Sequence, residues 1–104
     1  MGNKEENHQE GISALQKNYP VWMSDITTFD DAIDMIRSVS KLTDREEKGN
    51  EIVDTIGLAF NGLRPVSPLS ALYLMWRNPW MGVASNTFIH FMMEKIGLKN
   101  VHGE

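Results

Sequence analysis

The chain is predicted to fold as a helix-rich α/β unit with its elements in the order α-β-α-α-β-α. Three observations predict it. Phe29, Ile33, Ile36 and Val39 recur at spacings of 4, 3 and 3, the period of a helix with one apolar face. Residues 20–23 and 71–76 are short apolar runs with aromatic and methionine side chains, which suit strands. Helices separate these runs, and such alternation favours parallel strands.

In chain order, Asn3 is the predicted cap of a first helix, with Glu6 as its capping-box partner. Ile12 and Leu15 give that helix a thin apolar face, and it ends near Lys17 and Asn18. Residues 20–23 follow as a strand that tolerates Pro20 at its first position. Residues 24–27 turn the chain. Thr28 then caps a second helix, and Asp30 and Asp31 in its first turn oppose the positive end of the helix dipole. Thr43 and Glu46 form a further predicted capping box. It opens a third helix of about 18 residues, roughly 27 Å long. Its apolar set is Ile52, Ile56, Ala59, Phe60 and Leu63, and Asn61-Gly62 stops it. Gly49 and Gly57 each weaken this helix by about 1 kcal/mol relative to alanine. Pro65 and Pro68 mark residues 64–69 as a connector. A strand over 71–76, an aromatic loop and a fourth helix over 87–96 complete the chain. Ser85 or Asn86 caps that helix and Gly97 stops it.

Composition narrows the function. The chain has 104 residues, enough for one domain or a piece of one. It carries 14 acidic and 10 basic residues, a net charge of −4. No two basic residues adjoin, so no phosphate footprint argues for nucleic acid as a partner. With no cysteine, thiolate chemistry, cysteine-ligated zinc and disulfides are excluded. His8, His90 and His102 lack ligand spacing, and no nucleophile triad or Gly-rich phosphate loop occurs. No catalytic residue, metal ligand or cofactor site is expected.

The unusual stretch is residues 72–82. An apolar run breaks into Arg77, Asn78 and Pro79, and Trp80 and Met81 follow at once. Loops are normally polar because their backbone must reach water. Large apolar side chains placed there either fill a local core or face a ligand.

Pro20-Val-Trp-Met-Ser-Asp25, Asp31-Ala-Ile-Asp-Met-Ile36, Leu72-Tyr-Leu-Met-Trp-Arg-Asn-Pro-Trp-Met81, Asn86-Thr-Phe-Ile89 and Gly97-Leu-Lys-Asn-Val101 together resemble one family. It is the periplasmic substrate-binding proteins of ABC importers for cobalamin, haem and iron–siderophores, with the cobalamin-binding type most similar. The resemblance implies two α/β lobes joined by a long backbone helix, with ligand held between them. It assigns residues 1–27 to the end of the first lobe and 28–63 to a helical segment that includes the inter-lobe helix at 44–63. Residues 64–69 become a connector and 70–104 the start of the second lobe. The chain is then a middle fragment of a longer, exported receptor. That receptor works in the periplasm or at the outer face of the cytoplasmic membrane, with its targeting signal outside this chain. Its partners are a metal–organic small molecule and the importer permease, whose docking residues fall outside the chain.

On that resemblance Trp76, Arg77, Asn78, Pro79, Trp80 and Met81 form a cleft wall, with Trp76, Trp80 and Met81 against an apolar ligand face. Strand alternation sets Tyr73 and Met75 on one face and Leu72, Leu74 and Trp76 on the other. Arg77 either hydrogen-bonds the ligand or makes a surface ion pair. Asp25 either faces the cleft from the first lobe or stabilises its own turn, the turn being favoured. The alternative to a receptor is a self-standing α/β protein–protein interaction domain. Two predicted strands are too few for a stable sheet, so the isolated chain is also expected to self-associate.

Overall fold

The computed structural model describes residues 1–4, 6–65 and 68–103. Glu5, Val66, Ser67 and Glu104 lie outside the described residues, and with them the middle of the expected 64–69 connector. The fold is mixed α/β. It begins with β1 (Gly2–Asn3), α1 (Gln9–Gln16) and β2 (Met23–Ser24), and β1 and β2 pair in parallel. Asn3 is therefore a strand residue, not a helix cap, and α1 starts six residues later. His8 occupies the cap position without a side-chain bond. Local capping chemistry lost to ladder pairing here. Gly2 N–H donates to Trp22 O, and Lys4 N–H to Ser24 O, each at 2.9 Å. A Cβ on Gly2 would stand 2.7 Å from Met23 Sδ, so a larger residue there would push the methionine side chain aside.

α2 (Phe29–Leu42) and α3 (Glu46–Asn61) form an antiparallel pair. The capping box at Thr28 is present. Thr28 Oγ1 accepts from Asp31 N–H at 3.2 Å, and Asp31 Oδ2 accepts from Thr28 N–H at 2.9 Å. Asp31 Oδ2 also accepts from the backbone N–H and the hydroxyl of Thr27, each at 3.1 Å. These bonds hold the Asp31 carboxyl below its usual range, the Thr27 N–H most strongly, then the Thr28 hydroxyl and N–H.

The second expected capping box does not form. Thr43 Oγ1 donates back to Val39 O at 2.9 Å and so belongs to the end of α2. Asp44 takes the left-handed conformation with φ 54°. Arg45 N–H reaches Ser40 O at 2.7 Å, and Asp44 N–H reaches Lys41 O at 3.2 Å. This is a Schellman ending, and it consumes the residues expected to start α3. The third helix is accordingly shorter than expected, 16 residues or about 24 Å.

The buried face of α3 also differs from the expected set. Gly49 and Val53 are buried, with Ile56, Gly57 and Phe60 partly covered, whereas Ile52 and Leu63 are exposed. Gly49 marks the closest helix approach, since a Cβ there would collide with the Ser40 side chain. At the opposite end the Phe29 and Phe60 rings lie 4.8 Å apart and tilted by 48°. Between them Ile33 and Val53 fill the seam, each contributing about 1.5–3 kcal/mol by burial.

The C-terminal part contains β3 (Leu69–Ala71), β4 (Leu74–Arg77), β5 (Trp80–Gly82), α4 (Phe88–Lys95) and β6 (Leu98–Asn100). β3 pairs in parallel with β6, a strand not foreseen. The expected single strand at 71–76 is instead two, β3 and β4, and the expected loop is an antiparallel β4–β5 hairpin. α4 is capped by Thr87, whose hydroxyl accepts from His90 N–H at 3.2 Å, and not by Ser85 or Asn86. Asn86 cannot serve, because it sits at φ 62° where a cap residue is extended. Gly97 ends α4 at φ 85°, as expected. A second small core gathers Val83, Met93 and Asn100, all buried. Asn100 Nδ2 donates to Val83 O at 2.8 Å and contacts His90 Nδ1 at 3.0 Å. Asn100 Oδ1 accepts from His102 N–H at 3.1 Å, so the buried amide joins the chain after β5 to α4 and the segment after β6.

Candidate functional site

The β4–β5 hairpin gathers the six loop residues singled out in the sequence. Ladder pairing sets Trp76 opposite Met81 and Arg77 opposite Trp80, with Asn78 and Pro79 at the tip. Cross-strand partners share a face, and Trp80 adjoins Met81, the partner of Trp76, so the two tryptophans occupy opposite faces. The register shifts between Leu74 and Trp76, which breaks the simple alternation expected for 72–76.

Trp76 is 65% exposed and Trp80 66% exposed, so the local-core reading of these indoles fails. Leu72, Tyr73, Leu74, Met75 and Met81 are exposed as well. The Arg77 guanidinium lies over the Trp80 ring, 5.7 Å from its centroid. Arg77 thus makes a cation–π contact worth about 0.5–1 kcal/mol at an exposed site, rather than the surface ion pair considered from sequence. The contact steadies the indole, which stays 66% exposed.

Asp25 stands apart from this hairpin. It follows β2 and accepts from Lys4 Nζ at 2.8 Å. Through this exposed ion pair the Asp25 hydrogen bond and charge raise the Lys4 pKa. Asp25 lines an open hollow of about 550 Å³ with Lys4, Asn7, Ile12, Ser13 and Met23, none of them hairpin residues. No local pattern marks Lys4 as its partner, because 21 positions separate them.

A larger hollow, about 630 Å³, runs along α2 and α3 beside Phe29, Ile33, Arg37, Val53 and Leu58. It is an open surface groove of the helix pair, and Asp30, Asp54 and Asn61 also line it. Among the described residues no cluster of three or more His, Asp and Glu is placed to hold a metal. No described helix is long and apolar enough to cross a membrane.

No protein-family model and no curated protein matches the chain. Solved structures do. One is a possible iron-binding (periplasmic solute-binding) protein from Staphylococcus epidermidis ATCC 12228, with TM-score 0.61 and 23% identity over 86% of this chain. Another is the periplasmic vitamin B12 binding protein BtuF of Vibrio cholerae, with TM-score 0.68 and 14% identity over 98% of this chain. The chain has the fold of part of these binding proteins. It spans 37% of the length of the first and 42% of the second.

Proposed function

We propose that the chain is the central part of a non-catalytic solute receptor for an ABC importer, and that the β4–β5 hairpin is one wall of its ligand cleft. The observation that carries the reading is the exposure of two indoles on one short hairpin, at 65% and 66%. Apolar surface of this kind on a binding-protein fold suits a broad ligand with an apolar face, such as cobalamin, haem or an iron–siderophore. The face that carries Trp80 and Arg77 supplies the apolar contact and, with Asn78 at the tip, hydrogen bonds at its margin, while Trp76 and Met81 lie on the other face. Asp25 is a weaker contributor from the first lobe, since Lys4 already engages it. On this reading the chain divides in the same way. β1 to β2 belong to the first lobe, α3 bridges the lobes, and β3 to β6 open the second. The receptor works outside the cytoplasmic membrane, and its permease takes the ligand on.

Calorimetric titration of the receptor with cyanocobalamin, haemin and a ferric hydroxamate siderophore tests the reading. One ligand should bind, and Trp80→Ala should weaken it by about tenfold or more. Unchanged affinity in Trp80→Ala removes the hairpin from the cleft.

A further inference from the structure

The two parallel strand pairs carry their unusual side chains at the same end. β3 and β6 run in parallel, and β3 leads from its carboxyl end into the β4–β5 hairpin. β1 and β2 also run in parallel, and the residues that leave their carboxyl ends are Lys4 and Asp25. Open α/β sheets hold ligands beyond the carboxyl ends of their strands. The edge of β1 and β2 therefore meets the same rule as the edge that bears the hairpin.

Backbone pairing fixes this edge. Lys4 N–H donates to Ser24 O at 2.9 Å, which brings Lys4 alongside Asp25. Lys4 Nζ then donates to Asp25 Oδ2 at 2.8 Å. The two side chains are 71% and 53% exposed, and an exposed pair of this kind contributes little to stability. The pair lines the hollow of about 550 Å³, within the size range of small-molecule sites. The other polar groups that line it are uncharged. They are the carboxamides of Asn7, Gln9 and Gln16 and the hydroxyls of Ser13 and Ser24.

The chemistry of the pair selects what it can hold. An ammonium beside a carboxylate sets donors next to acceptors. A primary carboxamide is the complement, a carbonyl acceptor next to an N–H donor. A ligand carboxylate has acceptors only, so it meets the like charge of Asp25. A ligand ammonium has donors only and meets the like charge of Lys4.

We propose that Lys4 and Asp25 form a specificity pair, which takes an uncharged carboxamide on the edge of the ligand and rejects a carboxylate in its place. The proposal rests on the cleft reading above and adds to it the chemistry of the ligand's edge.

Calorimetry of the receptor tests it with cyanocobalamin, whose corrin edge carries carboxamides, and with each of its monocarboxylates, made by hydrolysing a single propionamide to the acid. At least one monocarboxylate should bind about tenfold more weakly than cyanocobalamin. Asp25→Asn should narrow that gap to about twofold or less, and Lys4→Gln should widen it. A merely structural ion pair would change the affinity for both ligands together and leave the gap alone. Circular dichroism verifies that each variant is folded, and either variant decides if the other does not fold. Equal affinity for cyanocobalamin and every monocarboxylate, or a gap unchanged in a folded variant, overturns the pair's role and leaves the hairpin reading intact. Binding of haemin or the ferric hydroxamate siderophore in place of cyanocobalamin overturns it too. Binding of none of these ligands overturns the receptor reading as well.

Discussion

The α2–α3 helix pair and the β4–β5 hairpin are both antiparallel turns of chain, yet they dispose of apolar residues in opposite ways. The helix pair folds its stripe inward. Ile33 and Val53 are buried, and Gly49 lets the backbones approach. The hairpin turns a comparable set outward, with all of Leu74, Met75, Trp76, Trp80 and Met81 exposed. A helix can cover one face with its neighbour and leave the other polar. A two-stranded ribbon with large apolar residues on both faces cannot cover itself. The helix pair is therefore a stabilising element, and the hairpin is a surface that something else covers.

The largest expected contrast pairs Ile33→Ala with Trp80→Ala. The first should cost about 2–5 kcal/mol in denaturant unfolding, through lost burial and the cavity left behind. The second should change stability by no more than about 0.5 kcal/mol, although it deletes the larger side chain. Equal costs would mean that the hairpin is core and the comparison is false.

Next in size is Asn100→Ala, which strips partners from Val83 O and His102 N–H. The expected loss is about 1–3 kcal/mol. Amide exchange should quicken most around Val83, whose N–H bonds Tyr73 O at 3.0 Å. Loss without faster exchange there would show that Asn100 does not anchor the base of the hairpin.

The two α3 glycines should separate in the same range. Gly49→Ala forces Ser40 to move and should destabilise by about 1–3 kcal/mol. A Cβ on Gly57 meets nothing within 4 Å, so Gly57→Ala should stabilise by up to about 1 kcal/mol. Similar outcomes would mean that the helices do not meet at Gly49.

The smallest effect concerns pH at the start of α2. The Asp31 carboxyl is held below its usual range, so its contribution is complete above the unfolded value, about 4, and fades as pH falls through the lower folded value. The stability difference between the native chain and Asp31→Asn should therefore be constant near neutrality and shrink in acid. A difference that does not shrink below about pH 4 would remove the carboxylate from the cap.

Legibility in the sequence followed the range of the interactions. The Thr28 cap, the Gly97 stop and the α2 stripe were readable because each is settled within four residues. Asn3 and the Thr43–Glu46 pair carried equally good capping patterns and misled. Asn3 was claimed by a strand 21 positions away, at Ser24. Thr43 was claimed by the helix before it. β6 went unseen because Leu98, Lys99 and Asn100 form a strand only beside β3. The aromatic stretch was legible as a candidate surface, since apolar residues flanking Asn78-Pro79 conflict with a polar loop. Its hairpin register and the Arg77–Trp80 stack were not.

The sequence by itself determined the α/β class, the helical period of α2, and the concentration of aromatic surface in 72–82. These depend on spacing and side-chain chemistry along one short segment. Only the tertiary structure decided that Trp76 and Trp80 face outward, that Asp25 is held by Lys4, and that Gly49 is a contact rather than a weakness. Each of those depends on which distant backbone arrives alongside, and local periodicity carries no record of it.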